Sequence, residues 1–305
     1  MRLVPAIAVI VLLSAAPLAG RAEPVAAAPY RIDYFGWFAV PVMVNGEGPY
    51  DFIVDTGATR SLVFENLAAA KGFAPSGGPP QTVLGLLSEG RLPAYFVGDL
   101  SIGAARLDAL ATVILGDWKT RGRSPQGVLG LDFLTRYFVV FDAETRMMRL
   151  YAPGSDEPDL DGFARVRMRR DTFGLTAGDL FTVAGEIGQR RVPFLLDLGA
   201  SGTVVNPAAA RSLVRRDASP LRMGARVTDA LDETGRAQAI ILDRFSIGRA
   251  LWRDQHMIVH ATPVFIDLGK EDQQFGLFGA DLVYERSFAF DFDKDRFYIG
   301  PPRKR

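Results

Sequence analysis

An apolar run ends on a lone aspartate twice in this chain, and these two stretches constrain the fold more than any other feature. In the first, Phe52-Ile53-Val54 delivers Asp55 onto the turn Thr56-Gly57-Ala58-Thr59. In the second, Phe194-Leu195-Leu196 delivers Asp197 onto Leu198-Gly199-Ala200-Ser201. A buried strand that ends in an unpaired carboxylate is costly. The glycine allows a tight turn, and neighbouring hydroxyls can hydrogen-bond the acid. One Asp-Thr-Gly alone reads as an ordinary turn between strands. Two copies, separated by nearly half of the 305 residues, predict two carboxylates that meet at a pseudo-twofold axis.

The rest of the chain repeats in the same order. Gly46 and Gly188 each lie nine residues before their aspartate, in the hairpin turns Asn45-Gly46-Glu47-Gly48 and Gly188-Gln189-Arg190. A short helix is predicted after each acid. The first is the alanine-rich Glu65 to Lys71, stopped by Gly72; the second is capped by Asn206 and runs from Pro207 to Leu213. Leu100-Ser101-Ile102-Gly103 returns as Phe245-Ser246-Ile247-Gly248, and Phe141-Asp142 returns as Phe290-Asp291. Self-similarity in several ordered blocks marks an internal duplication. Short strands punctuated by Gly and Pro predict closed or sandwiched β-sheet, mainly β with short helices. The Pro/Gly/Asp-rich stretch from Pro153 to Asp161 divides the halves, giving lobes over 23–155 and 156–305. Thr82 to Val97 and Val227 to Ile240 read as glycine-containing hairpins, either surface hairpins or flaps over a site.

Composition narrows the function. Lys+Arg and Asp+Glu are both 35, which argues against nucleic acid or an anionic membrane as the main partner. No cysteine means no disulfide, no thiol nucleophile and no cysteine metal site. His256 and His260 stand four apart in a strand-like stretch without a supporting acid, so they read as strand histidines rather than metal ligands. The glycine-rich segments lack nucleotide-binding spacing, and no cofactor is implied. Gly199 to Gly202 is not a serine elbow. Arg165 to Arg170 reads as the exposed face of a strand, and Asp132 and Asp281 as caps or turn residues. At the start, Arg2, the apolar Val4 to Leu13 and Gly20-Arg21-Ala22 predict a signal peptide over 1–22, cleaved near Glu23, with an uncleaved anchor as the alternative. The expected location is periplasmic or secreted, with no membrane association after cleavage. Glu23 to Pro29 is expected to be a flexible lead-in.

These motifs resemble the aspartic protease superfamily. The match is to the retropepsin-like branch in its single-chain, duplicated, bilobal bacterial form, with the pepsin-like enzymes as larger cousins. Ile53 to Thr59 reads I-V-D-T-G-A-T with V-L-G at Val128 to Gly130, and Leu195 to Ser201 reads L-L-D-L-G-A-S with L-F-G at Leu277 to Gly279. The resemblance implies an all-β fold of two β-barrel lobes and an aspartic endopeptidase. Asp55 and Asp197 would activate a water, supported by Thr56, Gly57, Thr59, Gly199 and Ser201. Thr59 and Ser201 would donate to the outer carboxylate oxygens. The hairpins would act as flaps over an extended peptide or protein substrate, and a monomer would suffice because one chain supplies both acids. Two adjacent carboxylates share one proton, so one serves as base and the other as acid, and the sequence leaves the assignment open. One residue departs from the family pattern: Leu198 stands where a hydroxyl is expected. Thr56 then loses its symmetric partner, a bond worth about 1 kcal/mol, and Leu198 is expected to pack in the lobe interface. A non-catalytic peptide-binding protein on the same fold, and a partner-activated protease, remain as alternatives.

Overall fold

The computed structural model describes residues 22–84, 89–117, 124–172, 178–213, 218–220, 225–228 and 234–303. The expected signal peptide falls almost entirely outside them. Among the described residues each half forms its own sheet, of eight strands in the first and nine in the second, and a six-stranded sheet joins the two.

The same wedge recurs in both lobes. In the first, Gly127–Leu129 lies between Glu47–Val54, to which it is parallel, and Leu62–Phe64, to which it is antiparallel. In the second, Gly276–Phe278 lies parallel to Arg190–Leu196 and antiparallel to Val204–Val205. The inserted strand holds apart the two segments that flank each aspartate, and the acid-bearing turn projects from the gap.

The joining sheet runs in the order Ala26–Pro29, Met147–Tyr151, Phe138–Asp142, Arg286–Asp291, Arg296–Pro302, Ala164–Arg167. Its central pairing crosses the duplication, with Phe138 opposite Asp291 and Phe141 opposite Phe288. Phe141 and Phe288 stack at 4.6 Å, and Phe38 from the first lobe contacts both at 5.5 and 5.4 Å. Such ring pairs contribute about 0.5–1.5 kcal/mol each beyond the area they bury.

Ala26–Pro29 corrects the sequence reading. The expected lead-in is an ordered edge strand paired with Met147–Tyr151. Its composition reads as a linker, but Ala26 and Ala28 alternate inward and are buried. Proline at the last position needs no ladder partner.

Local signals placed the helices well. Glu65–Lys71 ends at Gly72, whose φ is 63° and whose N–H bonds the Ala68 carbonyl at 2.8 Å. The Asn206 side chain caps Pro207–Leu213 by accepting from Ala209 N–H at 2.8 Å. The helix Pro263–Asp267, with Thr262 as its cap, was not anticipated. Arg165 and Arg167 point outward around the buried Val166, as expected of an exposed strand face. Among the described residues no helix is long and apolar enough to cross a membrane.

Candidate active site

The Glu47–Val54 and Arg190–Leu196 strands bring Asp55 and Asp197 together at the seam between the lobes. Their carboxyl groups lie close enough for each to bear on the other's titration. Each lobe's glycine covers the other lobe's acid. A Cβ on Gly57 would come within 2.6 Å of Asp197 Oδ1, and one on Gly199 would overlap the Asp55 carboxyl group. Any side chain at either position would force the acids apart.

The two acids are not equivalent. Asp55 Oδ1 accepts from the N–H groups of Gly57 at 2.7 Å, Ala58 at 3.2 Å and, across the seam, Gly199 at 3.2 Å. Asp197 Oδ1 accepts from Ala200 N–H at 3.0 Å. Burial pushes both pKa values up. For Asp55 the backbone donors oppose that rise. For Asp197 the charge of Asp55 adds to burial, and its pKa rises well above the usual carboxylate range. Backbone donors from Ala200 and Gly199 oppose the rise at Asp197 too. Two buried carboxyl groups this close share one proton, and the larger set of hydrogen bonds to Asp55 favours the charged form there.

The paired glycine strands pack under the turns. Asp55 N–H bonds Leu129 O at 3.0 Å and Asp197 N–H bonds Phe278 O at 3.1 Å. Leu131 N–H reaches Ala58 O, and Ala280 N–H reaches Ala200 O, both at 2.8 Å. A Cβ on Gly130 would come within 2.9 Å of Ala58 O, and one on Gly279 within 2.7 Å of Gly202 O. Asp132 and Asp281 have the structural role read from the sequence. Their partners were missed. Ser61 Oγ donates to Asp132 Oδ1 at 2.6 Å and accepts from Gly130 N–H at 3.0 Å. Thr203 Oγ1 donates to Asp281 Oδ1 at 2.7 Å and accepts from Gly279 N–H at 3.3 Å. The signal was available: both hydroxyls lie six residues after their aspartate, and both acids two after their glycine.

Thr56 keeps a full complement despite Leu198. Its hydroxyl donates to Leu196 O at 2.9 Å and accepts from Leu198 N–H at 3.1 Å. Leu198 is buried in the main core. Thr59 and Ser201 require a correction. Among the described residues, hydrogen bonds to the dyad from outside the pair come from backbone N–H groups, and neither hydroxyl donates to it. Both residues are the last of their turns. Thr59 packs towards Gly178, and Ser201 is exposed, with its carbonyl engaged by Tyr284.

The first hairpin pairs Gln81–Leu84 with Glu89–Leu92 as a separate two-stranded sheet, and residues 85–88 lie outside the described ones. It ends at Leu92; Ala94 to Val97 belong to a strand of the lobe sheet. Val83 and Leu92 pack towards the cluster of Trp37, Phe64 and Val113. The second hairpin pairs Ala225–Thr228 with Thr234–Ile247, and 229–233 lie outside the described residues. His256 is exposed on its strand, and among the described residues no cluster could hold a metal.

A bilobal β fold with a carboxyl dyad at the seam is the architecture of a pepsin-like aspartic protease. The sequence profile described as "Aspartyl protease" matches residues 40–133 and 183–282, one stretch per lobe. The chain belongs to this family. Its fold is similar to the crystal structure of the aspartic proteinase from Irpex lacteus, with a TM-score of 0.56 and 12% identity, covering 90% of this chain and 97% of that one. No curated protein sequence matches the chain.

Two outcomes follow from this geometry. Thr56→Val orphans the Leu196 carbonyl and the Leu198 N–H in a buried interface, at roughly 1–3 kcal/mol each. Chemical denaturation should show a loss of about 2–6 kcal/mol, the two costs together, and unchanged stability would refute the bridging role. Burial raises the Asp281 pKa to about 6. The folded protein then binds more protons than the unfolded chain between the ordinary aspartate range and that value, so stability falls as pH rises through the window. Asp281→Asn should make the fall from pH 4 to 7 shallower by up to about 3 kcal/mol. An unaltered pH slope would contradict it.

Proposed function

We propose that the protein is an aspartic endopeptidase in which Asp55 and Asp197 activate a water against a peptide carbonyl. The observation that supports this best is the unequal donation to the two acids: the N–H groups of Gly57, Ala58 and Gly199 hydrogen-bond Asp55, while Asp197 takes a hydrogen bond from Ala200 N–H and a further backbone contribution from Gly199. One carboxylate is thereby held charged and its neighbour neutral, as a general base and general acid pair requires.

The steps balance on these two groups. Asp55 removes a proton from a water held between the carboxyls as the water oxygen bonds the carbonyl carbon. Asp197 gives its proton to the carbonyl oxygen, and a neutral geminal diol forms. Asp55 then passes its proton to the amide nitrogen. The C–N bond breaks, and Asp197 recovers a proton from one diol hydroxyl, which leaves a carboxylic acid and an amine. No covalent enzyme intermediate forms.

The substrate class is an extended peptide, whose backbone can pair with strand edges and the first hairpin. The non-catalytic alternative drew its motive from Leu198, and that motive weakens because Thr56 is bonded on both sides. The proposal also places the protein outside the cytoplasm, on the charged, apolar, then small pattern of residues 1–22.

Digestion of a mixed peptide library from acid to neutral pH should give cleavage by the wild type. Asp55→Asn and Asp197→Asn should each lower kcat by about 10³-fold or more while remaining folded, since each removes one of two essential proton carriers. Undiminished cleavage by either variant would sink the dyad mechanism. Folded wild type without turnover at any pH would favour the binding protein. N-terminal sequencing of the exported protein should begin near Glu23; a chain retaining its first residues would point to an uncleaved anchor.

A further inference from the structure

We infer that Trp37 and Tyr284 are positioning residues for Asp197, and that they hold the second dyad turn where Leu198 supplies no hydroxyl. The inference rests on the dyad reading of the site.

Trp37 is fixed before it reaches the dyad. Asp33 Oδ1 accepts from the N–H groups of Phe35 and Trp37, both at 2.9 Å, while Asp33 N–H bonds Trp37 O at 3.0 Å. The resulting loop is closed by one carboxylate. The indole is 6% exposed and packs with Ile53, Phe64 and Val128. Its Nε1–H crosses the seam and donates to Gly199 O at 2.5 Å. That carbonyl belongs to the same peptide unit as Ala200 N–H, which donates to Asp197 Oδ1 at 3.0 Å. A donor on the carbonyl polarises the amide and strengthens its N–H as a donor. Trp37 thus acts on Asp197 through one peptide group.

Tyr284 holds the far side of the same turn. Its hydroxyl donates to Ser201 O at 2.8 Å. The ring lies over Gly36, whose φ is +91° and where a Cβ would land on the phenol. Gly36 sits inside the Asp33-closed loop, so one loop carries the indole and makes room for the phenol. Both donors are stiff aromatic side chains, and little rotamer freedom is lost in fixing them. The charged group facing Asp197 is Asp55, and Asp281 and Asp33 bear on the Tyr284 phenol.

Trp37→Phe keeps a ring and removes the donor. Weakening Ala200 N–H stabilises the charged form of Asp197 less, so its proton is held more tightly. The expected result is kcat lower by about tenfold, KM within about twofold, and the basic limb of the pH profile moved up by a few tenths of a unit. Tyr284→Phe should likewise lower kcat with KM within about twofold. A second readout does not need turnover. Carboxyl ¹³C NMR of aspartate-labelled protein, with the dyad lines assigned through Asp55→Asn and Asp197→Asn, should show Asp197 titrating at higher pH in Trp37→Phe than in wild type. If wild type cleaves nothing, the protease reading fails and the carboxyl titration still decides this one. A Trp37→Phe titration that overlays wild type, with activity unchanged or scaled equally at all pH values, would overturn it.

Discussion

The structure depends on holding two like-charged groups in contact away from bulk water. Two buried carboxylates repel, and each loses hydration. The fold resolves this by sharing one proton between them and by aiming main-chain N–H groups at the member left charged. Backbone donors suit the task because the turn fixes them and no rotamer must be frozen. They also explain the glycines. Gly57 and Gly199 each lie against the opposite lobe's acid, where no side chain has room.

The remaining architecture keeps those turns in register. Inserting Gly127–Leu129 and Gly276–Phe278 between the flanking strands gives each turn a floor, and the Ser61–Asp132 and Thr203–Asp281 pairs tie that floor to the turn above. The six-stranded sheet and the stack of Phe141 on Phe288 then fix one lobe relative to the other. At the seam itself the two halves differ. Leu198 removes one hydroxyl, yet the bonds of Thr56 go to the carbonyl of residue 196 and the N–H of residue 198. Any residue at 198 except proline supplies that N–H, so the substitution leaves the Thr56 half of the arrangement intact.

Much of this was legible in the sequence because its determinants are local or repeated. The apolar run, acid, glycine order predicted the meeting of Asp55 and Asp197, and the Gly72 and Asn206 caps placed two helices. The equal offsets of Ser61 and Thr203 were readable but passed over. Ala26–Pro29 was misread because its composition resembles a linker, while its partner strand lies more than a hundred residues on. Thr59 and Ser201 looked like donors by proximity, but the backbone N–H groups of the turns take up the acids' hydrogen bonds instead. Trp37 and Tyr284 left no sequence signal, since their bonds span 162 and 83 residues.

The central claim is that acids from two lobes form one proton-sharing site that acts on a peptide backbone. The most direct measurement is a crystal structure with a statine-bearing peptide, whose hydroxyl mimics the tetrahedral diol. The account predicts the hydroxyl between Asp55 and Asp197, within hydrogen-bond distance of both, with the peptide extended beneath the first hairpin. A peptide bound elsewhere, or a hydroxyl engaged by neither acid, would contradict it.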